Sequence, residues 1–283
     1  MRLKADLTLL FVSILWGSAF VFQRIVGQQG GVYYFNGLRF LLGALILLPF
    51  IWKRLKTSRE QWLWMSIAGV ILFIASALQQ AGMQYTTAGN AGFITSLSVV
   101  IVPFVLLVGW RERPRWLAVI AVIMAGVGTY LLSTAGSFKL QKGDALELAG
   151  ALFWAFHLVL LGKFALRFES ILFAAGQFVI AGLFNLFAGF ILEKPVINVA
   201  FVEAVVYTAV FSVGIGYTLQ VWGQRFTPPT DAALILSLEA VFAVLSAWLF
   251  LSETLALIQI IGCLLILGGV LLTQLRSKDF RVK

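Results

Sequence analysis

Ten apolar runs of roughly 20 residues divide this chain, at about 6–26, 33–52, 62–84, 88–110, 115–134, 144–165, 170–192, 203–224, 230–251 and 256–275. An α-helix of about 20 residues crosses the ~30 Å hydrocarbon core of a bilayer. The runs are too long and too evenly apolar for barrel strands, which are shorter and alternate. Composition closes the aqueous alternative: 61% of the 283 residues are hydrophobic and 12% charged, against nearer half and a quarter in soluble domains. The expected fold is therefore an all-α integral membrane protein with ten transmembrane helices (spans 1–10), in the cell membrane. The opening Met-Arg-Leu-Lys before an apolar run could pass for a signal peptide. The same segment recurs at mid-chain, so it is read as span 1.

Basic residues set the topology. With the N-terminus inside, the cytoplasmic set is Arg2, Lys4, Lys53, Arg54, Lys56, Arg59, Arg111, Arg113, Arg115, Lys163, Arg167, Arg225, Arg276, Lys278, Arg281 and Lys283. The outer set is Arg24, Lys139, Lys142 and Lys194, with Arg39 left inside a span. Sixteen against four is a strong positive-inside bias, and it puts both termini in the cytoplasm. The net charge of +9 lies in short clusters between apolar runs, which suits a membrane surface and not a nucleic-acid groove. A single cysteine, Cys263, excludes an intramolecular disulfide.

The chain also repeats itself. The stretch from Thr86 to Glu112 has a counterpart from Thr227 to Glu253, shifted by 141 at both ends. Asp6 and Trp16 match Asp144 and Trp154 at a shift of 138, as Arg39-Phe40 matches Gln177-Phe178. Gln79 matches Gln220 at 141. Five spans per copy is an odd number, so the second copy enters the membrane from the other side. The expected organisation is two inverted five-helix repeats, 1–134 and 144–283, joined by a linker at 135–143. Inverted repeats are a frequent plan of secondary transporters, with substrate held near the midplane between them.

Several motifs carry a family resemblance: Trp16-Gly-Ser-Ala-Phe, Arg39-Phe-Leu-Leu-Gly-Ala, Ala151-Leu-Phe-Trp-Ala-Phe-His, Leu236-Ser-Leu-Glu239 through Leu251-Ser-Glu253, and Gly262 with Gly268-Gly269. Together they resemble the EamA family of the drug/metabolite transporter superfamily. The resemblance implies two five-helix repeats and export of small metabolites, amino acids or drugs. The chain departs from the family pattern at Ala240, where many relatives have proline after the glutamate. In the first half Ser98-Val99 stands in place of that pair, and the proline comes at Pro103. A proline hinge in spans 4 and 9 is therefore not expected.

Depth sorts the candidate substrate-binding residues. Trp16 and Trp154 lie about 15 Å past Asp6 and Asp144 in inverted helices, placed to wall a central cavity or to pack the bundle interior. His157 lies one turn beyond Trp154 on the same side; it is either a hydrogen-bonded packing residue or a proton carrier. Glu239 lies about 12 Å past Asp231, where a charge costs about 2.5 kcal/mol or more. It is either a protonatable site coupling transport to a proton or a neutral carboxyl bonded where helices cross. Arg39, about 9 Å inside the outer face, either snorkels outward or binds an anionic substrate group; Gln177 is its counterpart. Gln79 and Gln220 are the deepest members of an outer polar cluster (with Gln80, Gln84 and Asn90) and its inner copy (with Gln224, Arg225 and Asp231), expected as two gates. Ser96, Ser98, Ser237, Gly214 and Gly216 read as close-packing positions, like Gly126, Gly128, Gly268 and Gly269, which could also support a dimer. Glu112 and Glu253 read as interfacial ends of spans 4 and 9.

No phosphate-cradling loop, metal-ligand cluster or nucleophile elbow is present in the sequence. No cofactor, metal or catalytic residue is expected; ATP-driven transport would need a separate subunit. An enzyme would have to rest on Glu239 and His157 alone. The expected function is a secondary transporter exporting small metabolites, amino acids or similar amphipathic compounds, by alternating access. The alternative is a passive channel or facilitator of the same fold. Its partners are the small-molecule substrate, the bilayer and a coupling proton, with no nucleic acid; monomer and homodimer stay open.

Overall fold

A computed structural model describes residues 1–54, 57–86, 88–134, 141–164, 167–251 and 256–274. Lys56, Lys139, Glu253, most of the 135–143 linker and the basic C-terminal cluster lie outside the described residues, as does the side chain of Asn90. The described chain is helical throughout. Spans 1–3 are α1 (Arg2–Gln29), α2 (Val32–Ile51) and α3 (Arg59–Gly82). Span 4 divides into α4 (Ala88–Ser96) and α5 (Ser98–Trp110); span 5 is α6 (Trp116–Thr134). Spans 6 and 7 are α7 (Asp144–Phe164) and α8 (Ser170–Leu192). Span 8 runs through α9 (Val199–Tyr207), a π-helical segment (Thr208–Tyr217) and α10 (Thr218–Gly223). Span 9 divides into α11 (Pro229–Leu236) and α12 (Glu239–Leu251), and span 10 is α13 (Leu257–Gln274). Among the described residues eight helical stretches are long and apolar enough to cross a membrane, and Trp116–Leu132 and Leu257–Leu272 are shorter apolar helices.

Burial is inverted relative to a soluble protein. Phe187, Phe190 and Leu183 on α8 are exposed, while Asn36, Arg39, Gln80, Gln177 and Asn185 are buried. Lipid accepts apolar side chains and rejects polar ones, so polar groups turn inward. Outside the spans, loops are short and capped. Gly30 and Gly31 turn α1 into α2 with φ of 87° and 72°, a left-handed backbone that side chains resist. The same turn exposes the first N–H groups of α2, and Glu193, at the end of α8, accepts from Tyr33 and Tyr34 N–H at 2.7 and 2.8 Å. Burial pushes the Glu193 carboxyl up, opposed by those N–H groups, which favour its anion.

Spans 4 and 9 break at matched positions, span 9 without any proline at the break. At Leu97 the bonds tighten to i→i−3: Leu97 N–H donates to Ile94 O at 3.1 Å and Val100 N–H to Leu97 O at 2.9 Å. At the equivalent place, 141 residues on, Leu238 N–H donates to Ile235 O and Ala240 N–H to Ser237 O, both at 3.2 Å. No proline is needed in span 9 because the Ser237 hydroxyl donates to Leu234 O at 2.7 Å, a bond that competes with the helix ladder and bends it. In span 4, Pro103 supplies no N–H to the Val99 carbonyl just past the break.

The repeats interleave. The helix α1 packs on α12, α3 on α7 and α8, α2 on α8, and α6 on α13. At Gly17 a Cβ would stand 2.8 Å from Glu239 O and 2.7 Å from Phe242 Cβ, so only glycine lets spans 1 and 9 meet beside Trp16. Along the α6–α13 seam a Cβ at Gly128 would stand 2.7 Å from Gly262 O, and one at Gly269 2.7 Å from Ala121 O. Those two contacts are related by the 141 shift. The seam glycines are thus occupied inside the chain. Gly128→Leu forces α6 and α13 apart and is expected to cost about 1–3 kcal/mol, read as a lowered unfolding temperature in detergent; an unchanged temperature would refute the close packing.

Candidate functional site

One cavity lies where both broken spans, the π segment and spans 1, 2, 3 and 6 converge. Its wall includes Trp16, Gln23, Arg39, Gln79, Thr95, Ser96, Ser98, Trp154, Ser212, Tyr217, Gln220, Ser237 and Glu239. Six of the eight residues expected from sequence are therefore brought together: Trp16, Arg39, Gln79, Trp154, Gln220 and Glu239. The cavity encloses about 60 Å³, room for only a few water molecules. A metabolite can enter only if the walls part. A larger cavity, about 240 Å³, opens at the cytoplasmic end among Arg2, Glu112, Arg113, Arg115 and Asp231; it is a vestibule short of the midplane residues.

Tyr217 organises the aromatic wall and was not legible from the repeat. Its ring centroid is 4.7 Å from that of Trp16 and 6.1 Å from that of Trp154, nearly parallel to the latter. The π segment explains its placement. In π geometry residues five apart sit one turn above another, so Ser212 and Tyr217 share the cavity face, as they would not in an α-helix. The carbonyl of Ser212 accepts from Trp16 Nε1 at 3.1 Å. One clue was present: Tyr217 precedes Gln220 by three, a same-face spacing.

The polar groups of the cavity are largely unanswered by protein. Arg39 is 2% exposed, its guanidinium 4.9 Å from the Phe35 ring centroid and 5.1 Å from that of Phe40. Its Nε has no hydrogen-bond partner, and among the described residues none of the ion pairs includes it. Snorkelling is thus not what it does. Trp154 Nε1 and Gln220 Oε1 also lack partners. Among the described residues no hydrogen bond or ion pair engages the Glu239 carboxyl, so the cap at a helix crossing, one of its two expected roles, is not formed.

Three expectations need correction. His157 and Gln177 do not line the cavity; they bond each other (Nε2 to Oε1, 2.9 Å) and are fully buried. His157 stands edge-on behind Trp154 and Tyr217, with ring centroids 6.1 and 6.4 Å away, and so buttresses the aromatic wall. Gln79 and Gln220, expected at two separate gates, face the same chamber. The serines read as packing positions, Ser96, Ser98 and Ser237, line the cavity instead, since the helix breaks turn them inward. Gly216 does pack: a Cβ there would stand 2.8 Å from Trp16 Nε1.

The two ends of the bundle are tied by two bonds that the repeat relates. At the cytoplasmic end Thr227 donates to Asp6 at 2.7 Å, and Arg2 bridges Asp6 and Asp231 at 2.9 and 2.6 Å. At the outer end Thr86 donates to Asp144 at 2.5 Å, and Gln141 N–H donates to the other carboxylate oxygen at 2.6 Å. Asp6 and Thr227 are the inverted equivalents of Asp144 and Thr86. Each bond joins the first helix of one repeat to the start of the fourth span of the other. Elsewhere Glu112 pairs with Lys163, as its interfacial reading requires. Gln80 and Gln224 tie neighbouring helices through the carbonyls of Gln23 and Leu158, at 2.7 and 2.9 Å.

A family model described as the EamA-like transporter family matches residues 3–134 and again 141–275. An uncharacterized transporter of Archaeoglobus fulgidus is 35% identical over 97% of this chain and 87% of its own length. The transporter YvbV of Bacillus subtilis is 26% identical over 98% of this chain and 93% of its own. The inner membrane transporter YicL of Salmonella typhimurium is 25% identical over 97% and 96%. A solved crystal structure superposes over all of both chains with a TM-score of 0.82 at 18% identity, a likeness of fold.

Thr86→Val removes the outer bond and leaves its inverted equivalent intact. Losing a bond of about 1 kcal/mol shifts an open–closed equilibrium about fivefold. In a Cys263→Ala background, a cysteine at Ser96 is expected to react about fivefold faster with a membrane-impermeant maleimide applied from outside. Thr227→Val is not expected to raise that rate; equal rates in all three proteins would show that these bonds do not hold the ends shut.

Proposed function

The chain belongs to the EamA-like transporter family and is a multi-pass membrane transporter, and from that premise we propose that it exports amino acids or similar amphipathic metabolites by alternating access. One observation carries the substrate class. A buried cation, Arg39, and a carboxyl, Glu239, face one small chamber, and among the described residues neither has an ionic partner. A buried unpaired charge is costly, and a zwitterion answers both groups at once. Its carboxylate meets the Arg39 guanidinium, the side chain suited to planar anions. Its ammonium meets Glu239, with Gln220 Oε1 as a further acceptor. Its side chain lies against Trp16, Tyr217 and Trp154, whose ring faces also favour a cation.

The placement of the breaks supports alternating access. Short helices ending in the chamber rotate with less loss of backbone bonding than continuous ones, and the freed backbone groups meet cavity and not lipid. Opening one end breaks its own Asp–Thr contact, and at the cytoplasmic end also the Arg2 bridge between Asp6 and Asp231. Outward direction is supported by the family resemblance.

Counterflow of a radiolabelled amino-acid panel in proteoliposomes tests the reading. Exchange of at least one zwitterionic amino acid is expected. Arg39→Ala removes a charge-assisted contact of about 2 kcal/mol, so half-saturation rises about thirtyfold. Exchange by the wild type with unaltered half-saturation in Arg39→Ala would overturn the anion-binding role. Downhill flux without counterflow would identify a passive facilitator.

A further inference from the structure

A second carboxyl lies beside the chamber, and the repeat shows that packing alone does not account for it. Glu147 on α7 is fully buried, one turn below Asp144 at the outer end. Its Oε2 accepts from the Thr95 hydroxyl at 3.2 Å, and that hydroxyl in turn accepts from Gln79 Nε2 at 3.0 Å. Thr95 and Gln79 both line the chamber. The other oxygen, Oε1, has no partner and lies over Gly82, where a Cβ would stand 2.8 Å from it.

The inverted copy of this corner keeps the shape and removes the chemistry. Shifting Glu147 back by 138 gives Leu9, and shifting Thr95, Gly82 and Gln79 forward by 141 gives Leu236, Gly223 and Gln220. A Cβ at Gly223 would stand 2.9 Å from Leu9 Cδ2, the same fit that Gly82 offers Glu147. Leucine therefore fills the slot at the cytoplasmic end, and a fully buried carboxyl in its place at the outer end is costly. The groups that face it are few. On its own helix Asp144 interacts with it electrostatically; from α3 and α4 the neighbours are Gly82, Gln79 and Thr95, which do not titrate. None of the ion pairs among the described residues involves it.

Resting on the transport reading above, we propose that Glu147 is the binding site of the coupling proton, so that each substrate leaves as a proton enters. When the Thr86–Asp144 contact opens, water reaches Glu147 and hydronium gives its proton to the carboxylate, leaving water and a neutral acid. The direction of the hydrogen-bond chain reports that event to the chamber. With Glu147 as an anion, Gln79 donates to Thr95 and Thr95 donates to Glu147. With Glu147 protonated, its own O–H donates to Thr95 Oγ1, and the Thr95 hydrogen is released toward the chamber. The proton leaves to cytoplasmic water after the opposite end opens, restoring the anion.

Two measurements test this separately from the substrate. In the first, the full-length protein in lipid is titrated by infrared spectroscopy without substrate. A titrating carboxyl band present in the wild type and in Glu239→Gln is expected to be lost in Glu147→Gln; its persistence there overturns the assignment. Glu147→Leu, which copies Leu9, is the folding control and is expected to keep the wild-type unfolding temperature. The second uses whichever amino acid shows counterflow. Glu147→Gln is expected to exchange it at equal pH and to lose all stimulation by a pH gradient. Stimulation that survives the substitution, or that follows a sodium gradient instead, overturns the proposal. If no amino acid exchanges even in the wild type, the substrate reading fails, while the infrared titration still decides Glu147.

Discussion

Hydrocarbon offers no partner to a freed N–H or C=O, and that constraint governs where this chain is allowed to depart from regular helix. Its departures among the described spans are the breaks at Leu97 and Ser237–Leu238 and the π segment Thr208–Tyr217. All three face the same enclosed chamber. Irregular backbone is affordable only there, and it is also what a binding site needs. It turns Ser96, Ser98 and Ser237 inward and carries Tyr217 between the two tryptophans. The chamber and the irregularity are one feature, produced by the solvent outside.

Inverted symmetry supplies the second layer. Equivalent residues make equivalent bonds at opposite ends, as with Asp6–Thr227 and Asp144–Thr86. A chain built this way ties both of its ends with one sequence design. Its asymmetries then stand out against a built-in reference: Arg39 against Gln177, Tyr217 against Ser76, Glu147 against Leu9. At those positions the two halves differ in chemistry, and two of them, Arg39 and Glu147, carry the roles proposed above.

Much of this was legible in the sequence, for definite physical reasons. Span length and charge asymmetry are bilayer properties written directly into composition, so ten spans and the internal repeat could be read. Helical rise set depth, which placed Trp16, Arg39, Gln79, Trp154, Gln220 and Glu239 at one chamber. Rise does not give azimuth, and this is why His157 and Gln177, at suitable depth, turn out to bond each other behind the aromatic wall. Backbone irregularity without proline left no clear signature; the break at Ser237 depends on one hydroxyl choosing the Leu234 carbonyl. Glu147, three residues after Asp144, sits at a depth where rise alone does not separate it from interfacial carboxyls; comparison with its repeat equivalent Leu9 is what singles it out.

The α6–α13 seam has a consequence for motion. Spans 5 and 10 are inverted equivalents that touch each other, through Gly128 on Gly262 and Gly269 on Ala121 at matching 2.7 Å approaches. An element that packs on its own equivalent straddles the pseudo-twofold axis. Under the alternating access proposed above, the exchange of inward-open for outward-open forms is the operation of that axis, so contacts lying on it are mapped onto themselves. On that proposal the seam is an axle: the chamber and both ends change around it, while its glycine contacts are the same before and after the stroke.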